Sequence, residues 1–322
     1  MEIYGLNDYG FNKQTDFKIE NGIAVKATHN EALTEECVQM VYFKPPFSKY
    51  NLQMRKRPEC TGYDAQMNYE QYLSYIEAEI RRFYQTMTDS AVMYVHTNMA
   101  VSAYVKVIMD RVFGMSNFVN EIIRLLPLPK SYTKPAFVSS REVILLYSKT
   151  EKYIFNELHQ QLSEDEIEKK FKKTDSLGRR YHTLPLYSSG ITKKGSTGEK
   201  WRDMLPPEGS HWRTDPKELD AWDKEGLIEW YDDSLPRKKV YLDDIPGKRY
   251  TDIWSYRDDI ETFKTMLESV TEQNDTVLIC AEGQAELLKC IYENHRKFIG
   301  IFGENDSIDT IVKSFDNLQL SL

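Results

Sequence analysis

The residues best placed to do chemistry lie in Val41-Tyr42-Phe43-Lys44-Pro45-Pro46-Phe47-Ser48. Met40 to Phe43 are apolar or aromatic and end in a charged residue and a double proline, the pattern of a buried strand stopping at a rigid turn. Ligands of open α/β sheets sit at strand ends of that kind. Lys44, the polar group offered there, carries donors only, and the competing reading is a surface lysine facing solvent or a partner. Basic and aromatic clusters supply the other candidates. Lys193-Lys194-Gly195-Ser196 has no close acids and suits a phosphate. Lys169-Lys170-Phe171-Lys172-Lys173 and Arg179-Arg180 suit one too, or form a solvated face, because Glu164, Asp165, Glu166 and Glu168 adjoin them. His211-Trp212-Arg213 would touch a polyanion or contribute to a small core. Cys37, Cys60, Cys280 and Cys290 form no CxxC pair and have no histidine at ligand spacing, so reduced thiols and no metal site are expected.

With 322 residues, 41% hydrophobic and 29% charged, the chain can bury a full core as one large α/β domain with an insertion, or as two domains. No apolar run approaches the roughly 18 residues of a membrane helix. The start MEIYGLNDYG lacks the basic-then-apolar order of a signal peptide, so a cytoplasmic location is expected. A net charge of −8 disfavours an autonomous nucleic-acid binder. Residues 124–254, however, hold 24 Lys+Arg against 22 Asp+Glu, which leaves the flanks acidic and assigns any polyanion contact to the middle.

The elements that must position the Lys44 turn follow from periodicity. Residues 1–20 read as an arm, 23–27 as a short strand, 38–43 as the strand feeding the double proline, and 48–67 as a long loop. Apolar residues at three- and four-residue steps predict helices over 68–87 and 99–113, the second ended by Gly114. Strands at 91–96, 119–126 and 143–147 alternate with them, which implies a largely parallel sheet with helices on both faces. The alternation stops over 155–254, which contains Trp201, Trp212, Trp222, Trp230 and Trp254 among many Gly and Pro. It resumes with a helix from Glu261 to about 271, a strand at 276–281, a helix at 285–295, a strand at 297–302 and a helix near 307–315. The expected organisation is one sheet built from 1–154 and 255–322, interrupted by an inserted domain at 155–254.

That order resembles the β-class amino-methyltransferases of DNA, especially the modification subunits of type III restriction systems, and the resemblance covers nearly the whole chain. It rests on the strand ending in Lys44-Pro45-Pro46-Phe47 and on Glu31-Ala32-Leu33, Phe113-Gly114, Asn117-Phe118-Val119 and Glu142-Val143-Ile144-Leu145-Leu146-Tyr147-Ser148-Lys149. In the insertion, Trp201-Arg202, the Pro206 to Arg213 segment PPEGSHWR, Gly226-Leu227-Ile228-Glu229-Trp230, the Pro236 to Asp243 segment PRKKVYLD and Asp252-Ile253-Trp254 follow the family's target-recognition region in order. The resemblance implies a Rossmann-like methyltransferase sheet with a large inserted target-recognition domain.

In that family the first residue of the x-P-P-aromatic motif is Asp, Asn or Ser, which accepts from the exocyclic amine of a flipped-out base while the aromatic ring stacks on it. Here the resemblance puts Lys44 at the acceptor position, with Pro45, Pro46 and Phe47 completing the motif. A lysine cannot accept from the amine. Its charge would also oppose the sulfonium of S-adenosylmethionine by about 3 kcal/mol at about 6 Å and an effective dielectric near 20. The family's D-P-F-x-G-x-G loop corresponds to Ile279-Cys280-Ala281-Glu282-Gly283-Gln284-Ala285, with Ile279 for the aspartate, Gly283 kept and Ala285 for the second glycine. Phe302 stands where the family has an acid for the ribose hydroxyls, and a T-Q-K-P segment is missing between Trp254 and Glu261.

These departures imply a catalytically inactive chain with no cofactor of its own. It would act as the structural and DNA-recognition subunit of a heteromeric adenine-N6 methyltransferase. S-adenosylmethionine would be held by an active methyltransferase partner, in a heterodimer or higher assembly on double-stranded DNA. The candidate DNA contacts are Arg179, Arg180, Lys193, Lys194, Arg202, His211 and Arg213. Two alternatives stand beside this one: an active amino-methyltransferase in which the Pro45 carbonyl and another acceptor serve the amine, and a non-methylating scaffold or regulator of a restriction-modification system.

Overall fold

The computed structural model describes residues 3–7, 10–11, 37–45, 69–128, 131, 135–192, 194–232, 234–255, 258–281 and 285–301. The chain begins with β1 (Ile3–Asn7), β2 (Gly10–Phe11), β3 (Val38–Lys44), α1 (Tyr69–Thr86), β4 (Met87–Asn98), α2 (Ser102–Phe113), β5 (Phe118–Leu125) and β6 (Arg141–Ser148). Shorter elements follow: β7 (His159–Gln160), α3 (Glu164–Lys170), β8 (Lys173–Thr174), β9 (Arg180–Pro185), β10 (Tyr187–Ser189), β11 (Ser210–Trp212), α4 (Pro216–Lys224), β12 (Ile228–Glu229), β13 (Arg237–Tyr241) and β14 (Lys248–Arg249). The last are β15 (Ile253–Trp254), α5 (Asp259–Val270), β16 (Thr276–Ala281), α6 (Ala285–Glu293) and β17 (Lys297–Ile301). They form two compact units, one of Met1–Leu158 with Tyr250–Leu322 and one of His159–Arg249, set inside the expected 155–254.

The first unit is built on a nine-stranded sheet in the order β15-β5-β6-β4-β3-β16-β17-β1-β2. Its middle is parallel, β17 to β16 to β3 to β4. The expectation of a largely parallel sheet needs correcting at β6, which is antiparallel to both β4 and β5. No helix separates β5 from β6 among the described residues, and without a helical crossover the chain returns antiparallel. The reading of 1–20 as an arm also changes, since β1 pairs antiparallel with β17, Ile3 opposite Ile301. The strand expected at 23–27, the loop at 48–67 and the helix at 307–315 lie outside the described residues.

The central strands are apolar on both faces because both faces are covered. On one face Val41, Phe43, Met93, Val95 and Leu145 pack against Tyr72, Ile76, Ile80 and Phe83 of α1 and Val105, Ile108 and Met109 of α2. Those helical residues recur at three- and four-residue steps, so each helix turns a single apolar stripe to the sheet. Gly114, with φ +88°, ends α2 in a conformation that favours glycine. On the other face Met40, Tyr42, Tyr94, Ile144 and Ile279 pack against Phe263, Met266 and Leu267 of α5 and Leu288 and Ile291 of α6. Helix α5 begins two residues before the expected Glu261, because the Asp258 carboxylate accepts from the Glu261 N–H (2.7 Å) and caps it.

The second unit has a four-stranded sheet, β12-β13-β9-β8, and two-stranded pairs β10-β11 and β14-β7. Its core is Leu186, Trp201, Trp212, Leu219 and Ile228. No helix among the described residues is long and apolar enough to cross a membrane.

Candidate active site

Lys44 is the last residue of β3, opposite Ala281, the last of β16. Both strands are parallel, so their carboxyl ends share the edge at which ligands of such sheets bind. Side chains alternate along a strand, so Tyr42 and Lys44 point to the face covered by α5 and α6. The same alternation on β4 brings His96 beside them, two residues beyond Tyr94, which pairs with Tyr42. Arg124 of β5 and Glu142 of β6 are directly opposed. Asp259 enters from the first turn of α5.

These six residues form one continuous chain of contacts. The Tyr42 hydroxyl lies 2.8 Å from His96 Nδ1, and His96 Nε2 lies 2.9 Å from Glu142 Oε2. The tautomer that satisfies both carries its proton on Nε2, so Tyr42 donates to the ring and the ring donates to the carboxylate. Arg124 donates to Glu142 Oε2 (2.6 Å) and to Asp259 Oδ1 (2.7 Å). Lys44 Nζ donates to Asp259 Oδ2 (3.2 Å). Lys44 is therefore neither a free surface lysine nor an acceptor. Its ammonium is paired with a carboxylate whose other oxygen is already held by a guanidinium.

Burial and pairing set the protonation states. Burial keeps the Tyr42 phenol protonated, its pKa raised far above the usual tyrosine range. Burial likewise holds His96 below the usual histidine range, so the ring is neutral. Burial raises the Glu142 carboxyl, but the His96 and Arg124 hydrogen bonds, with the charge of Lys44, outweigh it and hold the group at about 2. Asp259 is also lowered, burial being outweighed by Lys44 and then Arg124. The array holds two cations, two carboxylates and a neutral ring, and the group offered at Lys44 itself is a donor.

The cofactor positions give a parallel result. Ile279 is fully buried within β16, between Tyr42 and Gly300 on the adjacent strands, and Cys280 and Ala281 follow it into the core. These residues and Ile301 at the end of β17 offer no side-chain carboxylate or hydroxyl. Ala285 opens α6. Gly283, Phe302, Pro46 and Phe47 lie outside the described residues, while Pro45 is buried. No cluster of three His, Cys, Asp or Glu suited to a metal occurs among the described residues.

The candidate DNA contacts of the second unit divide. Arg202 is held by Asp220 (3.1 Å) and Asp223 (2.7 Å) and lies over the rings of Trp201 and Trp230, which stack on each other. Arg179 pairs with Asp175 (2.9 Å) and lies 4.1 Å from the centre of the Tyr241 ring. Both guanidinium groups are partly exposed and paired with carboxylates of the same unit. Trp212 is fully buried, His211 Nδ1 donates to the Gly190 carbonyl (2.9 Å), and Arg213 Nε donates to the Pro185 carbonyl (3.0 Å). Arg180, Lys194 and Arg213 are exposed, and Lys193 lies outside the described residues.

His96, Arg124, Glu142 and Asp259 were not among the sequence candidates. The signal was present in part. His96 closes the apolar run from Ala91, Arg124 interrupts the one from Ile122, and Glu142 precedes the one from Val143, so each is a polar residue at the edge of a buried strand.

The sequence has relatives among known proteins. The sequence profile of the DNA methylase family (N6_N4_Mtase) matches residues 38–313. The type II methyltransferase M.EcaI of Enterobacter cloacae is 29% identical over 293 residues, covering 86% of this chain and 64% of that protein, so the chain spans under two thirds of its relative's length. Among solved structures, the Thermus thermophilus protein TTHA0409, described as a DNA modification methylase, is 13% identical with a TM-score of 0.46, over 88% of this chain and 90% of that one. The PvuII cytosine-N4-specific DNA methyltransferase is 13% identical with a TM-score of 0.41, over 88% and 86%. With most of its length matched by the family profile, the chain belongs to the N6/N4 DNA methylase family.

Proposed function

We propose that this chain is a catalytically silent member of the family, retained as the structural and DNA-recognition subunit of a heteromeric, S-adenosylmethionine-dependent DNA adenine-N6 methyltransferase. The observation that carries the proposal is the ion pair at the strand end. Lys44 occupies the acceptor position of the resembled motif, and its partner Asp259 is clamped by Arg124 on the other oxygen. A base amine arriving there would meet an ammonium at the motif's acceptor position, so the donor-acceptor match that aligns such an amine is missing on the strand. The apolar surroundings of Ile279 support the same reading at the cofactor end. Adenine, rather than cytosine, follows from the likeness of the inserted region to type III modification subunits. The partner is an active methyltransferase that binds the cofactor.

One observation favours a second reading. The Asp259 side chain is 58% exposed, so a carboxylate does stand beside the strand end, carried by a helix instead of the strand. In an active enzyme with altered motifs it would be the acceptor, once freed from Lys44. Isothermal titration of S-adenosylmethionine into the full chain, alone and then mixed with an intact methyltransferase of the same family, separates the two. The expected result is no heat of binding alone and one cofactor per pair in the mixture. Micromolar binding by the chain alone, with methylation that is abolished in Asp259→Ala, would establish the second reading and overturn the first.

A further inference from the structure

The longest strand pair of the second unit is β9 with β13, five residues on each side, Arg237 opposite Pro185 through Tyr241 opposite Tyr181. Alternation divides its side chains cleanly. Lys238 and Ile228 turn to the face that packs on α4, where Lys238 Nζ lies 3.3 Å from the centre of the Trp222 ring and Ile228 joins the core. Arg237, Lys239, Thr183 and Tyr181 turn to the opposite face, which does not contribute to that core.

On that second face two cations are held by neutral acceptors. Lys173 pairs with Glu229 (2.7 Å). Glu229 stands opposite Arg237 on the ladder but gives its bond to Lys173, and among the described residues Arg237 and Lys239 make no ion pair. Arg237 instead donates to the Thr183 hydroxyl (2.9 Å) and carbonyl (3.1 Å), and Lys239 donates to the Gly226 carbonyl (3.0 Å) and lies 5.8 Å from the centre of the Tyr181 ring. Neutral acceptors orient these two groups without discharging them. They stand two residues apart on one rigid strand, about 7 Å at the rise of an extended chain, which is near the spacing of successive phosphates on one nucleic-acid strand.

From this placement we infer that the β9–β13 ribbon is the DNA-contacting element of the second unit, with Arg237 and Lys239 on backbone phosphates and Thr183 on the same face. The inference rests on the DNA-recognition reading above and adds two residues of the Pro236 to Asp243 segment to the candidate contacts.

The test is fluorescence anisotropy of the full chain with a labelled 30-base-pair duplex, titrated over a series of salt concentrations. The variants are Arg237→Ala with Lys239→Ala, the charge-retaining Arg237→Lys with Lys239→Arg, and Lys194→Ala with Arg213→Ala. Each phosphate contact contributes about 0.9 to the slope of log affinity against log salt, so removing two lowers the slope by about 1.8 and weakens binding by about 30-fold near 0.15 M salt. The charge-retaining pair should keep the wild-type slope, which a folding defect common to both double variants would not allow. Wild-type affinity and slope in Arg237→Ala with Lys239→Ala, with the loss appearing in Lys194→Ala with Arg213→Ala, would overturn the ribbon and leave DNA recognition standing. Absence of salt-dependent binding by the wild-type chain would remove DNA recognition itself, and the ribbon with it.

Discussion

Replacing Arg124 by methionine tests whether the strand-end chain of contacts is one cooperative structure. The guanidinium is almost fully buried and touches both carboxylates, at 2.6 Å and 2.7 Å. Breaking a buried ion pair by removing one partner costs about 3–5 kcal/mol, because the remaining charge is left without compensation. Asp259 is more than half exposed and can rehydrate, and Glu142 keeps the His96 hydrogen bond, so the lower end, about 3 kcal/mol, is expected. For a unit of this size that is a fall of roughly 6–12 °C in Tm. The measurement is urea and thermal unfolding followed by circular dichroism. Adding Glu142→Gln removes the stranded charge while keeping an acceptor for His96, so the double variant should regain about 1–2 kcal/mol over Arg124→Met alone. The pH dependence carries the same sign. Glu142 is held at about 2, below its ordinary 4.5, so its contribution is complete above about pH 4.5 and is lost as the pH falls toward 2. In Arg124→Met that acid-side loss should shrink. A single variant within 1 kcal/mol of wild type, or no recovery from Glu142→Gln, would refute the reasoning.

Three other substitutions probe neighbouring claims. Ile279→Asp puts a carboxylate at a fully buried position among apolar side chains, and a loss of about 3–5 kcal/mol is expected with no gain of S-adenosylmethionine binding; a stable variant that binds the cofactor by calorimetry would contradict this. Lys44→Asn restores a side chain able to accept, yet thermal shift with S-adenosylmethionine should show no stabilisation, because the apolar cofactor positions are unchanged. A cofactor-dependent rise in Tm would trace the silence to residue 44 alone. Arg202→Ala removes the guanidinium from Trp201 and Trp230 and should lower unfolding stability slightly while leaving the salt slope of DNA binding unchanged. A slope reduced by about 0.9 would return Arg202 to the phosphate contacts.

The sheet of the first unit was legible because its strands are continuous apolar runs and its helices turn single apolar stripes, patterns that survive in sequence. The direction of β6 was not, since an apolar run reads the same in either orientation, and only the missing helix between β5 and β6 hinted at the return. The site was half legible. Lys44 stood out because a charge at the end of a buried run before two prolines is locally conspicuous. Arg124, Glu142 and Asp259 are each ordinary in their own neighbourhoods and acquire meaning when strand pairing and the start of α5 bring them against Lys44 from far along the chain. In the second unit the charged residues could be named from sequence, but which cations remain uncompensated could not. Arg202 follows a tryptophan and Arg237 a proline, and only the fold gives one two aspartates and the other a threonine.

Lys44 and the short join after Trp254 account for each other. The chain enters α5 soon after Trp254, with Asp258 as cap and Asp259 in the first turn. That short path brings the start of the helix over the carboxyl end of β3, where Asp259 meets both Lys44 and Arg124. A helix start favours a carboxylate, because the unpaired N–H groups of its first turn are electropositive. Without Asp259, Lys44 and Arg124 would be two cations facing one carboxylate, and the excess charge would destabilise the strand ends. Without Lys44, Asp259 would carry a free oxygen toward the edge where a base amine would arrive. A lysine at position 44 and a carboxylate at position 259 therefore form a single neutral arrangement. The silent-subunit proposal follows from that mutual dependence more than from the departure of any one motif residue.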